Sequence, residues 1–167
     1  AGSKLIGEMN AVDIQAWNDE AACRKAQSIR MDLFGRNDPR TAEAICELSK
    51  TSGSWNGDDD INTRQEYRLL VEALEIRKAT LPEDHVDIAD SLKFLGRFFH
   101  ENHDDQKTAL PFYMKALAIY EGHDPSGLHV DTVSAVNDVA CALEDLGRLE
   151  EARVYAERAY RCSYEGQ

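Results

Sequence analysis

The sequence predicts an all-α fold: about three stacked helix pairs preceded by an N-terminal helix. Three observations predict it. Small residues recur at a fixed long interval, a second motif recurs in step with them, and long runs of alternating β-branched residues are absent. Ala73, Ala116 and Ala159 stand 43 residues apart, in Tyr67–Ile76, Phe112–Ile119 and Tyr155–Tyr160. A weaker copy, Ala26-Gln27-Ser28-Ile29, begins 47 residues before Ala73. His85-Val86-Asp87-Ile88-Ala89 returns 44 residues later as His129-Val130-Asp131-Thr132-Val133. Its degenerate copy, Asp38-Pro39-Arg40-Thr41-Ala42, lies 47 residues earlier.

Taken in order, residues 1–11 read as a tag remnant or flexible N-terminus, because Ala1-Gly2-Ser3-Lys4 lacks a signal-peptide apolar core. Residues 12–36 hold a lone helix near 12–34, closed by Gly35. Residues 37–80 hold a degenerate pair, 39–52 with 61–79. Pro39 opens it at a position where a missing N–H costs little. Between these two helices, Thr51–Gly57 and Asp58-Asp59-Asp60 read as a solvated loop, with Asp60 a candidate cap. Trp55 in that loop is read either as packing on the first pair or as a contact residue. Residues 81–122 form a pair, 85–102 with 105–121, and residues 123–164 another, 127–146 with 149–164. Residues 165–167 are a tail. Gly122 and Gly147 mark helix ends, and Pro111 calls for a mild kink or a later helix start. The turns Asn102-His103-Asp104 and Leu146-Gly147-Arg148 are followed by Ala109 and Ala152, again 43 apart. No helix of such a pair buries its apolar stripe alone. Alanines let backbones approach, and Leu92, Leu95, Phe99, Phe112 and Leu117 fill the space between.

Composition narrows the function. The formal charge is −12, from 31 acidic and 19 basic side chains. That charge repels phosphate backbones and anionic membrane surfaces and favours a basic partner. No stretch approaches the ~20 apolar residues that span a bilayer. Cys23, Cys46, Cys141 and Cys162 are scattered without a CxxC pair. They read as reduced, mostly packed thiols of a cytoplasmic protein.

The residues Ala73-Leu74-Glu75-Ile76, His85-Val86-Asp87-Ile88-Ala89-Asp90-Ser91-Leu92 and Leu95-Gly96 resemble the long variant of the tetratricopeptide repeat found in kinesin light chains. Ala109-Leu110-Pro111-Phe112-Tyr113 is similar to the opening of that variant's second helix. The third copy matches through Ser134, Asn137, Val139, Ala140, Leu143, Gly147 and Ala152. The resemblance covers residues 60–162 well and 12–59 poorly. It implies a right-handed superhelix whose concave face is lined by the first helix of each pair. It also implies a module that binds a protein or peptide. Phe94 and Asp138 stand where the family favours an asparagine that holds peptide backbone. His103 replaces the usual turn glycine, and no proline follows His85.

Carried over by this pattern, the partner-binding candidates are Asp90, Lys93, Phe94, Arg97, His100 and Glu101 in one copy. In the next they are Ser134, Asn137, Asp138, Cys141, Glu144 and Asp145. The degenerate copy offers Glu43, Cys46, Glu47 and Lys50. Lys93 and Arg97, one turn apart, are candidates to hold a carboxylate of an acidic or C-terminal peptide, with Phe94 as apolar anchor and His100 as a further donor. The plainer reading is a solvated basic pair balanced by Asp90 and Glu101, with Phe94 in the core.

His100 and His103 are three apart, where helical zinc sites need four, and no third ligand is evident, so no metal is expected. The Asp58–Asp60 run lacks the register of a calcium loop. His85 and His129 are read as capping or packing residues. No phosphate loop, dinucleotide fingerprint or nucleophile elbow occurs, so neither a cofactor nor an enzymatic activity is expected. The alternative function is a self-associating structural or regulatory domain of a larger signalling protein. It would join through terminal-helix residues such as Val154, Tyr155 and Tyr160.

Overall fold

A computed structural model of the chain describes residues 20–52 and 61–165. Their regular structure is helix alone: α1 (Glu20–Phe34), α2 (Pro39–Ser52), α3 (Ile61–Thr80), α4 (Val86–His103), α5 (Gln106–His123), α6 (Val130–Asp145) and α7 (Leu149–Glu165). The expectations for residues 12–19, Trp55 and Asp58–Asp60 fall outside the described residues. The helices divide into two compact units, one up to Pro82 and one from Glu83.

In the first unit α1 packs on α2, and α2 on α3. Gly35 follows α1 with φ 89°, and its N–H donates to the Met31 carbonyl at 2.9 Å, ending the helix in a left-handed cap. Pro39 is the first residue of α2, as its missing donor allows. Thr41 Oγ1 donates to the Gly35 carbonyl at 2.8 Å, fixing the turn between α1 and α2. Ile29, Ala42, Ile45, Leu70 and Ala73 are buried. So is Cys46, which corrects its assignment to the binding face: its turn of α2 points into the core.

In the second unit α4, α5, α6 and α7 pack in succession. The period-marking alanines sit at the helix contacts: Ala109 and Ala116 are fully buried, and Ala152 and Ala159 nearly so. The helices also approach closely at Gly96. A Cβ there would lie 2.7 Å from Tyr113 Cε1, so only glycine lets α4 rest on the buried Tyr113 ring of α5. Leu92, Leu95 and Leu117 are buried, as expected. Phe99 and Phe112 are only half-buried, stacked with centroids 5.7 Å apart. Phe98 is the fully buried ring.

Three expectations about turns are revised. The left-handed residue after α4 is Asp104 (φ 49°), 43 before Gly147 (φ 73°), so His103 is still helical and does not replace the turn glycine. The Asp104 and Asp105 N–H groups both donate to the Phe99 carbonyl, whereas Arg148 N–H donates to the Leu143 carbonyl, so the two turns close by different bonds. Aspartate serves at Asp104 because it tolerates this conformation better than most side chains. Gly122 lies within the last turn of α5, and the left-handed glycine of the following loop is Gly127 (φ 69°). Pro111 lies inside α5 without delaying its start.

The loop into α6 is held by Asp124. It accepts from the Ser126 hydroxyl and, at 2.7 Å, from the His129 N–H. These donors hold its carboxyl down at about 2. Arg158 of α7 reaches back to Glu121 at the end of α5. No described helix is long and apolar enough to cross a membrane.

Candidate functional site

The proposed face belongs to α4 and α6, the opening helices of the last two pairs. Each begins on a histidine. His85 Nδ1 accepts the Asp87 N–H at 3.1 Å, and His129 Nδ1 accepts the Asp131 N–H at 3.3 Å. Accepting at Nδ1 places the ring proton on Nε2. Both rings therefore act as caps, satisfying a donor that every helix start leaves open. His123 Nε2–H donates to the Asp84 carbonyl at 2.6 Å, tying the end of α5 to the residue before the first of these caps.

From these fixed starts, α4 and α6 present their predicted residues to each other. Lys93 Nζ donates to Ser134 Oγ at 2.9 Å. Two turns on, His100 Nε2 meets Asp145 Oδ2 at 2.7 Å. An ionised carboxylate only accepts, so the imidazole donates. Arg97 stands between, its guanidinium 5.3 Å from the Phe94 ring centroid and 3.9 Å from Glu101. Phe94 is half-buried, neither a core residue nor fully exposed. Asn137 Nδ2 points to Cys141 Sγ at 3.8 Å, and Cys141 and Glu144 are exposed.

Asp90 is turned the other way and accepts the hydroxyl of buried Tyr120 on α5. Burial, then this hydrogen bond and the Asp90 charge, raise the Tyr120 phenol well above its ordinary value. Burial also raises Tyr113, reinforced by Asp138 and Glu101. Tyr113 lies edge-on to His100 with centroids 6.2 Å apart, so α5 supports the face from beneath. The sequence shows Tyr113 only as part of the Ala109–Tyr113 motif and does not single out Tyr120; the role of either ring beneath the face depends on how the helices pack.

Asp138 is half-buried, and desolvation raises its carboxyl above the ordinary value. Lys93, Arg97 and His100 pull the other way without overcoming it. Although Cys141 is exposed, partial desolvation by its neighbours pushes its thiol up, helped by Asp138, Glu144 and Asp145. Cys141 is thus a neutral thiol at physiological pH and a poor nucleophile.

In the degenerate copy Glu43 is exposed and lies 3.3 Å from Arg30. The side chains of Glu47 and Lys50 lie outside the description. At the other end of the chain Leu149, Val154 and Tyr160 of α7 are exposed. Among the described residues no group of three histidine, cysteine, aspartate or glutamate side chains is placed to hold a metal ion.

Residues 132–163, which span most of α6 and α7, match the family model of the tetratricopeptide repeat. No curated protein matches the chain by sequence. Its fold is similar to that of a Podosopora anserina protein described as a kinesin light chain with nearly identical TPR-like repeats. That likeness has a TM-score of 0.65 and 18% identity over 89% of this chain and 67% of that one. A variant of the same protein gives 0.66 and 18%, over 89% and 66%. BtubC (BKLC) from P. vanneervenii gives 0.71 and 18%, over 86% and 55%. The chain thus spans about two thirds, or less, of the structures it resembles. The resemblance read from the sequence holds as a family match in the last pair and as a fold across the chain.

Proposed function

From the premise that residues 132–163 are a tetratricopeptide repeat, we propose that this protein is an interaction module, an adaptor or scaffold that catalyses no reaction. It holds a protein or peptide segment in a groove along the α4–α6 face. The observation that supports this reading is the character of that face. Its core-facing residues are spent on packing, yet it keeps a half-buried aromatic ring, an exposed amide and a carboxylate between helices pinned by Lys93–Ser134 and His100–Asp145. A pre-positioned face of this kind binds with little ordering cost. The contact set is Lys93, Phe94, Arg97, His100, Asn137, Asp138, Cys141 and Glu144. Asp90 lends support through Tyr120. Scattered cysteines and net negative charge fit a cytoplasmic setting.

Affinity capture from the native cell extract tests this reading. A Phe94→Ala/Asn137→Ala variant with unchanged helicity should lose the proteins that the parent chain retains. Full retention by the variant would refute the assignment. Exposed Leu149, Val154 and Tyr160 support a second reading, self-association through α7. Sedimentation over a range of concentrations decides it, since a monomer throughout removes that reading.

A further inference from the structure

Tyr113 and Tyr120 stand two turns apart on α5, and each is only 3% exposed. A phenol dried to that degree usually finds a hydrogen-bond partner. Tyr120 has one, the Asp90 carboxylate. The Tyr113 hydroxyl hydrogen-bonds no described residue. His100, which meets its ring edge-on, is bonded to Asp145 instead.

The hydroxyl is nevertheless directed. The ring edge runs along the α4 backbone at Gly96, where a Cβ would lie 2.8, 2.7 and 3.2 Å from Cδ1, Cε1 and Cζ. The ring thus passes α4 instead of stopping against it. Its oxygen enters the field of Arg97 and Glu101 of α4 and of Asp138 and Cys141 of α6. Those four residues come from both helices of the candidate face, so the oxygen lies at its floor, between the two.

What the hydroxyl can take follows from its chemistry. Burial keeps it protonated, so it remains a neutral donor. The cations near it are engaged: Lys93 on Ser134, His100 on Asp145, and Arg97 on Glu101 and the Phe94 ring. A cationic side chain would bring no acceptor. A carboxylate would sit in the field of Asp138 and Glu101. An uncharged oxygen meets neither objection, and every residue of an extended segment offers one in its backbone carbonyl.

We propose that the Tyr113 hydroxyl is a binding group of the α4–α6 face, donating a hydrogen bond to a backbone carbonyl of an extended segment of a partner protein. This rests on the reading that the face binds partners. Gly96 belongs to the device, because a side chain there would push the ring off its line. A grip on the backbone tolerates variation in the partner's side chains.

The test uses the full chain, isotope-labelled for amide NMR, and one probe, an end-capped, uncharged peptide of alanine, serine and threonine. At about millimolar concentration, where even weak complexes form, the peptide should shift α4 and α6 amides. Tyr113→Phe removes only the hydroxyl. It should weaken the peptide about threefold or more, the worth of one neutral hydrogen bond. It should melt no lower than the parent chain, since nothing described in the fold uses that oxygen. Tyr120→Phe should do the converse, melting lower through the lost bond to Asp90 while changing peptide affinity less than about twofold. Undiminished binding by Tyr113→Phe, or a melting point lowered as in Tyr120→Phe, overturns the inference and leaves the face standing. A peptide that moves no α4 or α6 amide also overturns it, and the capture experiment with Phe94→Ala/Asn137→Ala then decides the face separately.

Discussion

The helices α1–α3 and α4–α7 solve the same two problems with different residues. The residue before α2 is Asp38, whose carboxylate accepts the Arg40 N–H at 2.9 Å. The residues before α4 and α6 are His85 and His129, whose imidazoles accept the N–H at the same offset. Likewise, Glu72 of α3 takes Arg36 from the turn after α1 at 2.7 Å, whereas Arg158 of α7 takes Glu121 from the end of α5. Glu72 and Arg158 each stand immediately before a period-marking alanine, so the ion pair keeps its place and reverses its polarity. The repeat preserves what the backbone needs, a capping acceptor and a tether, and leaves the chemistry free. That is why the fold extends over most of the chain at 18% identity while the family match covers only 132–163.

The largest effect that would sharpen this comparison is at Gly96. Its counterpart in the next pair, 44 residues on, is Ala140, and the counterpart of Tyr113 is Ala156. Gly96→Ala should destabilise the chain by about 1–3 kcal/mol through overpacking. A second substitution, Tyr113→Leu, should recover part of the loss in thermal melts. No loss in Gly96→Ala would mean the close approach is not rigid.

Next in size are the caps. Asp38→Ala, His85→Ala and His129→Ala should each cost about 1 kcal/mol by denaturant titration. Hydrogen bonding to Arg40 lowers the Asp38 carboxyl from 3.8, so its contribution is full above that value and is lost only as pH falls through the lower folded value. The pH dependence of stability in Asp38→Ala should therefore match that of the parent chain above about pH 5. A difference at neutral pH would break the analogy of roles.

Asp138→Asn should act in the opposite direction. Burial raises this carboxyl, so the folded chain keeps its proton to higher pH than the unfolded chain does. Stability then falls as pH rises from the unfolded value through the folded one, and stays lowered above it. The asparagine variant should melt about 1–2 °C higher at pH 7, a modest figure because water still reaches the group. The gain should disappear below the unfolded value. A lower melting point at pH 7 would show that Asp138 has a donor.

The smallest effect is at the reversed ion pairs. Arg36→Glu should cost only a few tenths of a kcal/mol, since Arg36 is mostly exposed. Adding Glu72→Arg should restore the loss, copying the polarity seen at Arg158. A double mutant no better than the single one would show that polarity is not interchangeable.

Much of the helical layout was legible in the sequence, because amphipathic spacing and long-range repetition are carried by local order. Pro39 and Gly35 were read at their places for the same reason, since each acts on its own backbone. The candidate face was legible as a set of positions on α4 and α6. What those residues do to one another was not. Lys93 to Ser134 and His100 to Asp145 join residues more than forty positions apart, and only the packing of the helices brings them within bonding distance.

The sequence alone therefore determined that the chain makes paired helices at a near-constant interval, where most of them start and stop, and which alanines sit at their contacts. The tertiary structure decided the rest. It put Cys46 and Phe98 in the core, gave the left-handed turn to Asp104, and left Asp138 half-buried on the face. One residue of helix turns a side chain through about 100°, so these outcomes depend on how each helix is rotated against its neighbours. That rotation is set by packing between helices, not by spacing along any one of them.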